Sequence, residues 1–157
     1  MDANWRWLHI QGKNDGTGNC YKANNWLNCK SDADCKSQCV LEGLSSNDYQ
    51  KNYGVRANNG NLTLAFVTET QNGNEKNVNV GSRLYMLDTA GQKYQLFTLD
   101  DKEFSFDVDF SNNFRCGLNA ALYFVAMDAN GGGRPRYGTG YCDGQCPRDL
   151  KFIQGQV

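Results

Sequence analysis

Two tryptophans near the start of the chain, in the stretch DANWRW at residues 2–7, are the first candidates for chemistry. Trp5 and Trp7 are separated by one arginine, and in a strand two such residues project from the same face roughly 7 Å apart. Two indoles on one face form a flat apolar platform, which can belong to a hydrophobic core or can stack on sugar rings or bases. The stretch by itself leaves both interpretations open.

A pair of aspartates offers a second chemistry. Asp107 and Asp109 alternate with apolar residues in FSFDVDF at 104–110, so in a strand their carboxyl groups share a face at roughly 7 Å. That separation lies within the about 6.5 to 9.5 Å between the carboxyl groups of an inverting glycosidase. The solvated outer face of an amphipathic strand explains the pair equally well, and we favour that explanation. A serine or cysteine nucleophile needs a histidine base, and the single histidine, His9, has no evident partner.

The densest group of polar and aromatic side chains lies in YGTGYCDGQCPRDLKF at residues 137–152. Aromatic rings with carboxylate, amide and cationic groups nearby suit a sugar site, because stacking covers the apolar ring face while the polar groups bind hydroxyls. The alternative is a turn braced by Cys142 and Cys146 with solvated charges. Composition by itself favours that alternative.

Short strands dominate the elements predicted after residue 60. Stretches rich in β-branched and aromatic residues, bounded by turn sequences, lie at 62–67, 82–87, 93–99, 104–110 and 120–128. The alternation in 104–110 predicts a half-buried strand. A single short helix is predicted within 31–44, with Ser31 as its N-cap. The sequence therefore predicts one all-β domain, an antiparallel β-sandwich with one short helix.

Composition narrows the class of partner. A length of 157 residues suits one domain with a core. The net charge of -1 argues against nucleic acid, since phosphate binding draws on clustered lysine and arginine. No apolar stretch approaches the about 20 residues of a membrane helix. We therefore expect neither nucleic acid nor membrane as a partner, and no metal or other cofactor.

Seven cysteines predict disulfides and an oxidising, extracellular compartment. Because seven is odd, at least one cysteine has no partner within this chain. Four of the seven cluster at Cys20, Cys29, Cys35 and Cys39. Their spacing contains no C-x-x-C pair and His9 is remote from them, which argues against a zinc site.

Four stretches carry a resemblance to a known family. They are DANWRW, FSFDVD, CGLNAALYFVAMDANGG at 116–132 and, above all, YGTGYCDGQCPRDLKFIQGQ at 137–156. Taken in order along the chain they resemble glycoside hydrolase family 7, the secreted cellulases, and the wording RDLKF favours its cellobiohydrolases over its endoglucanases. The resemblance implies a concanavalin-like jelly roll with a cellulose-binding groove roofed by loops, in a secreted protein that we expect to be a monomer.

The resemblance also implies which residues contact cellulose and cello-oligosaccharides. Trp5 and Trp7 match tryptophans that stack on glucosyl rings far from the bond that is cut, and Asn4 and Arg6 flank them. The remaining positions implied to bind substrate are Tyr53 at the tunnel entrance, Arg83, Asn119, Tyr123, Tyr141, Asp143, Gln145, Asp149 and Lys151.

No catalytic residue is assigned. The family's reaction centre is a Glu-x-Asp-x-x-Glu strand, and none of the glutamates here begins that pattern; they are Glu42, Glu69, Glu75 and Glu103. In the family that strand follows RDLKF, so we expect residues 1–157 to be a partial catalytic domain that lacks both an N-terminal strand and the catalytic strand.

The intact parent is expected to hydrolyse β-1,4-glucosidic bonds of cellulose with retention, and this chain by itself is expected to be inactive. An endoglucanase of the same family and a non-catalytic glucan-binding module are the alternatives. The resemblance further implies the disulfides Cys20–Cys39 and Cys29–Cys35, and it pairs the cysteines matching Cys116, Cys142 and Cys146 with downstream ones.

Overall fold

Antiparallel strand pairs are the dominant regular structure in the computed structural model, which describes residues 1, 5–13, 15, 17–41, 44–111 and 116–142. Four two-stranded sheets form within these residues. β1 (His9–Ile10) pairs with β4 (Cys39–Val40), β2 (Tyr21–Lys22) with β3 (Asn25–Trp26), β5 (Val55–Asn58) with β6 (Asn61–Leu64), and β7 (Val67–Asn72) with β8 (Glu75–Val80). The predicted all-β class with antiparallel pairing is confirmed.

Two disulfides lie at the centre of the buried core. They join Cys20 to Cys39 and Cys29 to Cys35, the pairs that the family resemblance implies. All four cysteines are buried, and the Sγ atoms of Cys29 and Cys39 lie 3.7 Å apart. The other buried members of this core cluster are Leu8, Leu41, Tyr94 and Tyr141. One disulfide therefore links β4 to the residue before β2, and the other links the helix at 32–38 to the segment before it, all within the apolar core.

The helix predicted within 31–44 forms, but it is shorter than that range. α1 (Asp32–Gln38) begins after its N-cap Ser31, whose hydroxyl accepts a hydrogen bond from the Asp34 amide. It ends at Gln38 because Cys39 enters β4, where it is the partner of Ile10. Pairing in a sheet and a disulfide thus override the helical pattern beyond residue 38.

A second helix, α2 (Ser46–Tyr53), corrects the expectation of a single helix. Its N-cap Ser45 and Asp48 form a capping box, in which each side chain accepts from the other residue's amide. Gly54 ends the helix in the left-handed conformation with φ 64°. Both signals are local: a serine three residues before an acidic residue, and a glycine after the last turn. Among the described residues, no helix is long and apolar enough to cross a membrane.

The strand predicted at 62–67 is divided in two by a bend. β6 ends at Leu64 and β7 begins at Val67. Between them, the Ala65 amide donates a hydrogen bond to the Gly54 carbonyl oxygen. The turn before β6 is an Asn59–Gly60 hairpin turn, with φ of 48° and 80°. Positive φ at both central residues is what a two-residue hairpin of this type requires, and asparagine and glycine accept it best.

The other four predicted strands do not form in the described residues. The ranges 82–87, 93–99, 104–110 and 120–128 contain only an isolated bridge between Leu87 and Tyr94. The expectation that 104–110 is half-buried is also wrong, because all of its residues are exposed. A strand needs a neighbour along its length for its backbone hydrogen bonds, and among the described residues these ranges make only isolated contacts of this kind, such as that from the Gln95 amide to the Met86 carbonyl oxygen.

The side-chain alternation within 104–110 nevertheless has a visible effect. The rings of Phe104 and Phe106 lie 5.7 Å apart, and Phe104 also meets Phe97 and Phe124 edge-on at 5.6 and 5.1 Å. Edge-to-face pairs at such separations are favourable arrangements of aromatic rings. Period-two patterning therefore placed the phenylalanines together without creating a paired strand.

Candidate functional site

The indole of Trp5 is held against the end of β8. Its Nε1 donates a hydrogen bond of 2.8 Å to the carbonyl oxygen of Val80, and the ring is half-buried. The guanidinium carbon of Arg83 lies 5.9 Å from the centre of the indole, within the range of a cation–π contact. The structure thus brings together two of the residues that the sequence assigns to substrate binding.

The side chain of Trp7 is open to solvent, with 70% of the residue's surface accessible. Its neighbours Arg6 and Leu8 are both buried, so side chains alternate between solvent and interior over residues 6–8. Residues 5–8 belong to no strand, and β1 begins at His9, so the spacing of two residues on one strand face does not describe Trp5 and Trp7. Asn4 lies outside the described residues.

Arg6 points into the protein, where it joins two elements. Its Nη1 donates to the carbonyl oxygen of Leu41 and, at 3.4 Å, to the hydroxyl of Tyr49 on α2. The guanidinium carbon also lies 5.8 Å from the centre of the Tyr49 ring. The Tyr49 ring in turn lies 6.3 Å from that of Tyr53, the last residue of α2. Arg6 and Tyr53 are therefore connected through Tyr49.

Tyr141 lies in the core rather than on an open surface, with 1% of its area exposed. Its ring stacks on that of Tyr85 at 4.4 Å, and Tyr85 meets Tyr94 edge-on at 6.1 Å. The hydroxyl of Tyr94 donates to the carbonyl oxygen of Thr139 at 2.9 Å, which fixes the loop before Tyr141. Tyr141 and the exposed Trp7 consequently do not share a surface.

A cleft of about 250 Å³ opens next to these tyrosines. Its lining includes Arg6, Tyr49, Tyr85 and Tyr141. That volume is below the about 300 to 1,000 Å³ typical of small-molecule pockets. The cleft joins the interior contacts of Arg6 to the tyrosine stack.

The remaining assigned residues fall into two groups. Asn119 and Tyr123 are exposed, Tyr123 with 53% of its surface accessible. The others lie outside the described residues and are Asp143, Gln145, Asp149 and Lys151.

Asp107 and Asp109 lie at the surface. Both are exposed, and the Asp109 carboxylate accepts a hydrogen bond of 2.8 Å from the Ser111 amide. Hydrogen bonds from the Ser111 side chain and amide lower the pKa of Asp109 below its ordinary value. A general acid needs a raised pKa to hold its proton at neutral pH. Asp109 therefore suits a solvated turn, in agreement with the interpretation favoured from the sequence.

The clustered cysteines come close enough to suggest a metal site. The Sγ atoms of Cys20, Cys29 and Cys39 lie within 4.8 Å of one another. Each of these sulfur atoms is already bonded in a disulfide, so none can act as the thiolate that a metal ion requires.

The contacts that sequence reasoning missed are those that support the assigned residues. The carbonyl oxygen of Val80 accepts a hydrogen bond from Trp5. The Tyr49 hydroxyl accepts one from Arg6, and the Tyr85 ring stacks on that of Tyr141. The stretch NVGSRLY contains the only available signal, a glycine directly after a strand and two residues before an arginine.

Comparison with known proteins identifies similar sequences and structures. The family model described as glycosyl hydrolase family 7 matches residues 1–157. The chain is also similar to a solved family 7 cellobiohydrolase from Daphnia pulex, with 33% identity and a TM-score of 0.68 over 100% of this chain and 36% of that one. A second structure of the Daphnia pulex cellobiohydrolase, from a radiation-damage series, gives 33% identity and a TM-score of 0.65 over 100% and 35%. The chain thus spans about a third of the length of these structures.

Proposed function

Because the chain belongs to glycoside hydrolase family 7, with the antiparallel β-sandwich class of that family, we propose that it supplies part of the substrate groove of a secreted, extracellular cellobiohydrolase. The substrate is cellulose, and the intact parent cleaves its β-1,4-glucosidic bonds with retention of configuration. In this proposal the chain is a partial catalytic domain that acts as a monomer and contributes binding residues but no catalytic carboxylate.

The observation that carries the proposal is the pair of tryptophans in DANWRW. Trp7 leaves 70% of its surface open to solvent, and Trp5 lies beside the guanidinium of Arg83. An open indole can cover the apolar face of a glucosyl ring, while a guanidinium donates to its hydroxyl groups. The similarity to Daphnia pulex cellobiohydrolase supports the cellobiohydrolase type over the endoglucanase.

Titration with cellohexaose, followed by tryptophan fluorescence, tests the binding role. We expect quenching or a shift of the indole emission. Stacking of a nucleic-acid base on an aromatic side chain contributes about 1–3 kcal/mol, and a similar contribution from a glucosyl ring, about 1.4 kcal/mol, means that Trp7→Ala should weaken binding by about tenfold. Trp26→Phe is the matched control, because Trp26 packs against the core and Tyr21. Equal binding by wild type and Trp7→Ala would contradict the proposal.

An assay with a chromogenic cellobioside tests whether the chain hydrolyses substrate or only binds it. The Glu-x-Asp-x-x-Glu pattern is absent from the 157 residues, and nucleophile and acid together supply most of the rate. We therefore expect no turnover by this chain. Turnover that disappears in Asp107→Asn and Asp109→Asn would instead assign the reaction to the aspartate pair. Binding without turnover by a parent that is itself complete would favour the glucan-binding module.

A further inference from the structure

We propose that Gly81 is a positioning residue that sets the Trp5 indole and the Arg83 guanidinium as one unit. The inference rests on the proposed function, in which these two side chains bind the same glucan chain. Gly81 lies between the two: the preceding residue, Val80, accepts the hydrogen bond from Trp5, the Gly81 amide donates to Phe66, and Arg83, two residues later, lies beside the indole.

The peptide unit between Val80 and Gly81 is held on both sides. Its carbonyl oxygen accepts the hydrogen bond of 2.8 Å from Trp5 Nε1. Its amide, on Gly81, donates to the carbonyl oxygen of Phe66 at 2.6 Å, at the bend before β7. Because a peptide unit is planar, the bond to Phe66 fixes the direction in which the Val80 carbonyl meets the indole.

The backbone conformation of Gly81 then directs the chain towards Arg83. Its φ is 72°, a left-handed value that glycine adopts readily and most other residues do not. Asn79 Nδ2 donates to the Gly81 carbonyl oxygen at 2.9 Å, which fixes the next peptide unit. Two residues later Arg83 lies 5.9 Å from the indole centre. The left-handed turn therefore determines how the guanidinium meets the ring.

A side chain at Gly81 would lie next to the Trp5 indole. A Cβ added there would lie 3.4 Å from Trp5 Cζ2 and 3.7 Å from its Nε1. These are ordinary van der Waals distances, so steric overlap is not the main effect of a substitution. The main effect is the backbone: an L-residue favours negative φ, and that change rotates the Val80 carbonyl or the segment to Arg83 away from the indole.

Gly73 provides a matched control in the same hairpin. It also has a positive φ, 61°, and a Cβ added there meets nothing within 4 Å. Gly73→Ala therefore introduces comparable backbone strain without touching Trp5. Gly81→Asn is the conservative variant, because asparagine tolerates the left-handed conformation far better than alanine.

The first measurement needs no ligand. The near-ultraviolet circular dichroism and acrylamide quenching of Trp5 are obtained as the difference between each variant with Trp5 and the same variant carrying Trp5→Phe. We expect Gly81→Ala to change both signals, and Gly81→Asn and Gly73→Ala to retain them. In a cellohexaose titration Gly81→Ala should bind at least about tenfold more weakly, because the loss of one hydrogen bond from a charged donor corresponds to a factor of about 10 to 100 in affinity.

Three results would decide the matter. A Trp5 signal unchanged in Gly81→Ala, or changed equally in Gly73→Ala, overturns the positioning role. If Gly81→Ala does not fold, Gly81→Asn decides, because loss of the Trp5 signal despite the retained left-handed turn contradicts the inference. If the Trp5 signal responds as expected while wild type does not bind cellohexaose, the positioning role stands and the proposed function fails.

Discussion

Replacement of Arg6 by methionine is expected to destabilise the folded chain by about 2 kcal/mol, because this side chain is part of the interior. Arg6 is only 7% exposed, and its guanidinium donates to the Leu41 carbonyl oxygen and lies over the Tyr49 ring. A hydrogen bond from a charged donor contributes about 1.5–3 kcal/mol, and a cation–π contact at this distance about 0.5–1. Methionine keeps the apolar stem and removes the cost of burying the charge, which lowers the net loss to about 2 kcal/mol.

Urea unfolding followed by circular dichroism measures this loss. Arg56→Met is the control, since Arg56 is exposed on β5 and surface substitutions usually change stability by less than about 0.5 kcal/mol. The reasoning is refuted if Arg6→Met is as stable as Arg56→Met but binds cello-oligosaccharides more weakly. That combination would place the guanidinium in the groove, as the sequence suggested, and not between Leu41 and α2.

Two further predictions concern the cap of α2 and the cysteines. Ser45→Ala should lower the free energy of unfolding by about 1 kcal/mol. Hydrogen bonds from the Ser45 side chain and amide lower the pKa of Asp48 below its ordinary value, so the stabilisation contributed by the ionised Asp48 carboxylate is present above about pH 4 and is lost as the pH falls through the lowered pKa; Asp48→Asn should therefore destabilise at neutral pH and have a vanishing effect in acid, and a pH-independent effect would contradict this. In denatured, unreduced protein, iodoacetamide should label Cys116, an exposed free cysteine among the described residues, and Cys116→Ser should remove that label; labelling of any cysteine of the Cys20–Cys39 or Cys29–Cys35 pair would contradict the disulfides.

Local signals in the sequence predict the elements that depend on neighbouring residues. Ser31 caps α1 as expected, since the cap requires only its own hydroxyl and an amide three residues later. The same logic was available for α2, whose Ser45 and Gly54 mark both ends, but its sequence SNDYQKNY carries no apolar stripe. A search for hydrophobic periodicity misses a helix whose residues are all at least partly exposed.

The candidate site was only partly predictable, for a physical reason. Residue types predicted two roles for the indole of Trp7, packing in a core or stacking on a ligand, and the second requires an exposed ring. They could not predict that Arg6, one position earlier, turns inward to a carbonyl group 35 residues away. Nor could they show that Tyr141 stacks on Tyr85. Such contacts join distant segments, and no local pattern encodes which carbonyl or ring will be the partner.

The predicted strand at 104–110 also depends on a contact with a distant segment that its own sequence does not specify. Alternation in 104–110 decides which side chains share a face, and the rings of Phe104 and Phe106 do lie together. It does not supply the neighbouring strand that a ladder requires. β7 and β8 pair over all six residues because a two-residue turn brings the partner with it, whereas 104–110 has no such turn-linked neighbour. Alternation in this chain therefore predicts which side chains are grouped, whereas a ladder forms where a tight turn brings a partner strand alongside, as in β7 and β8.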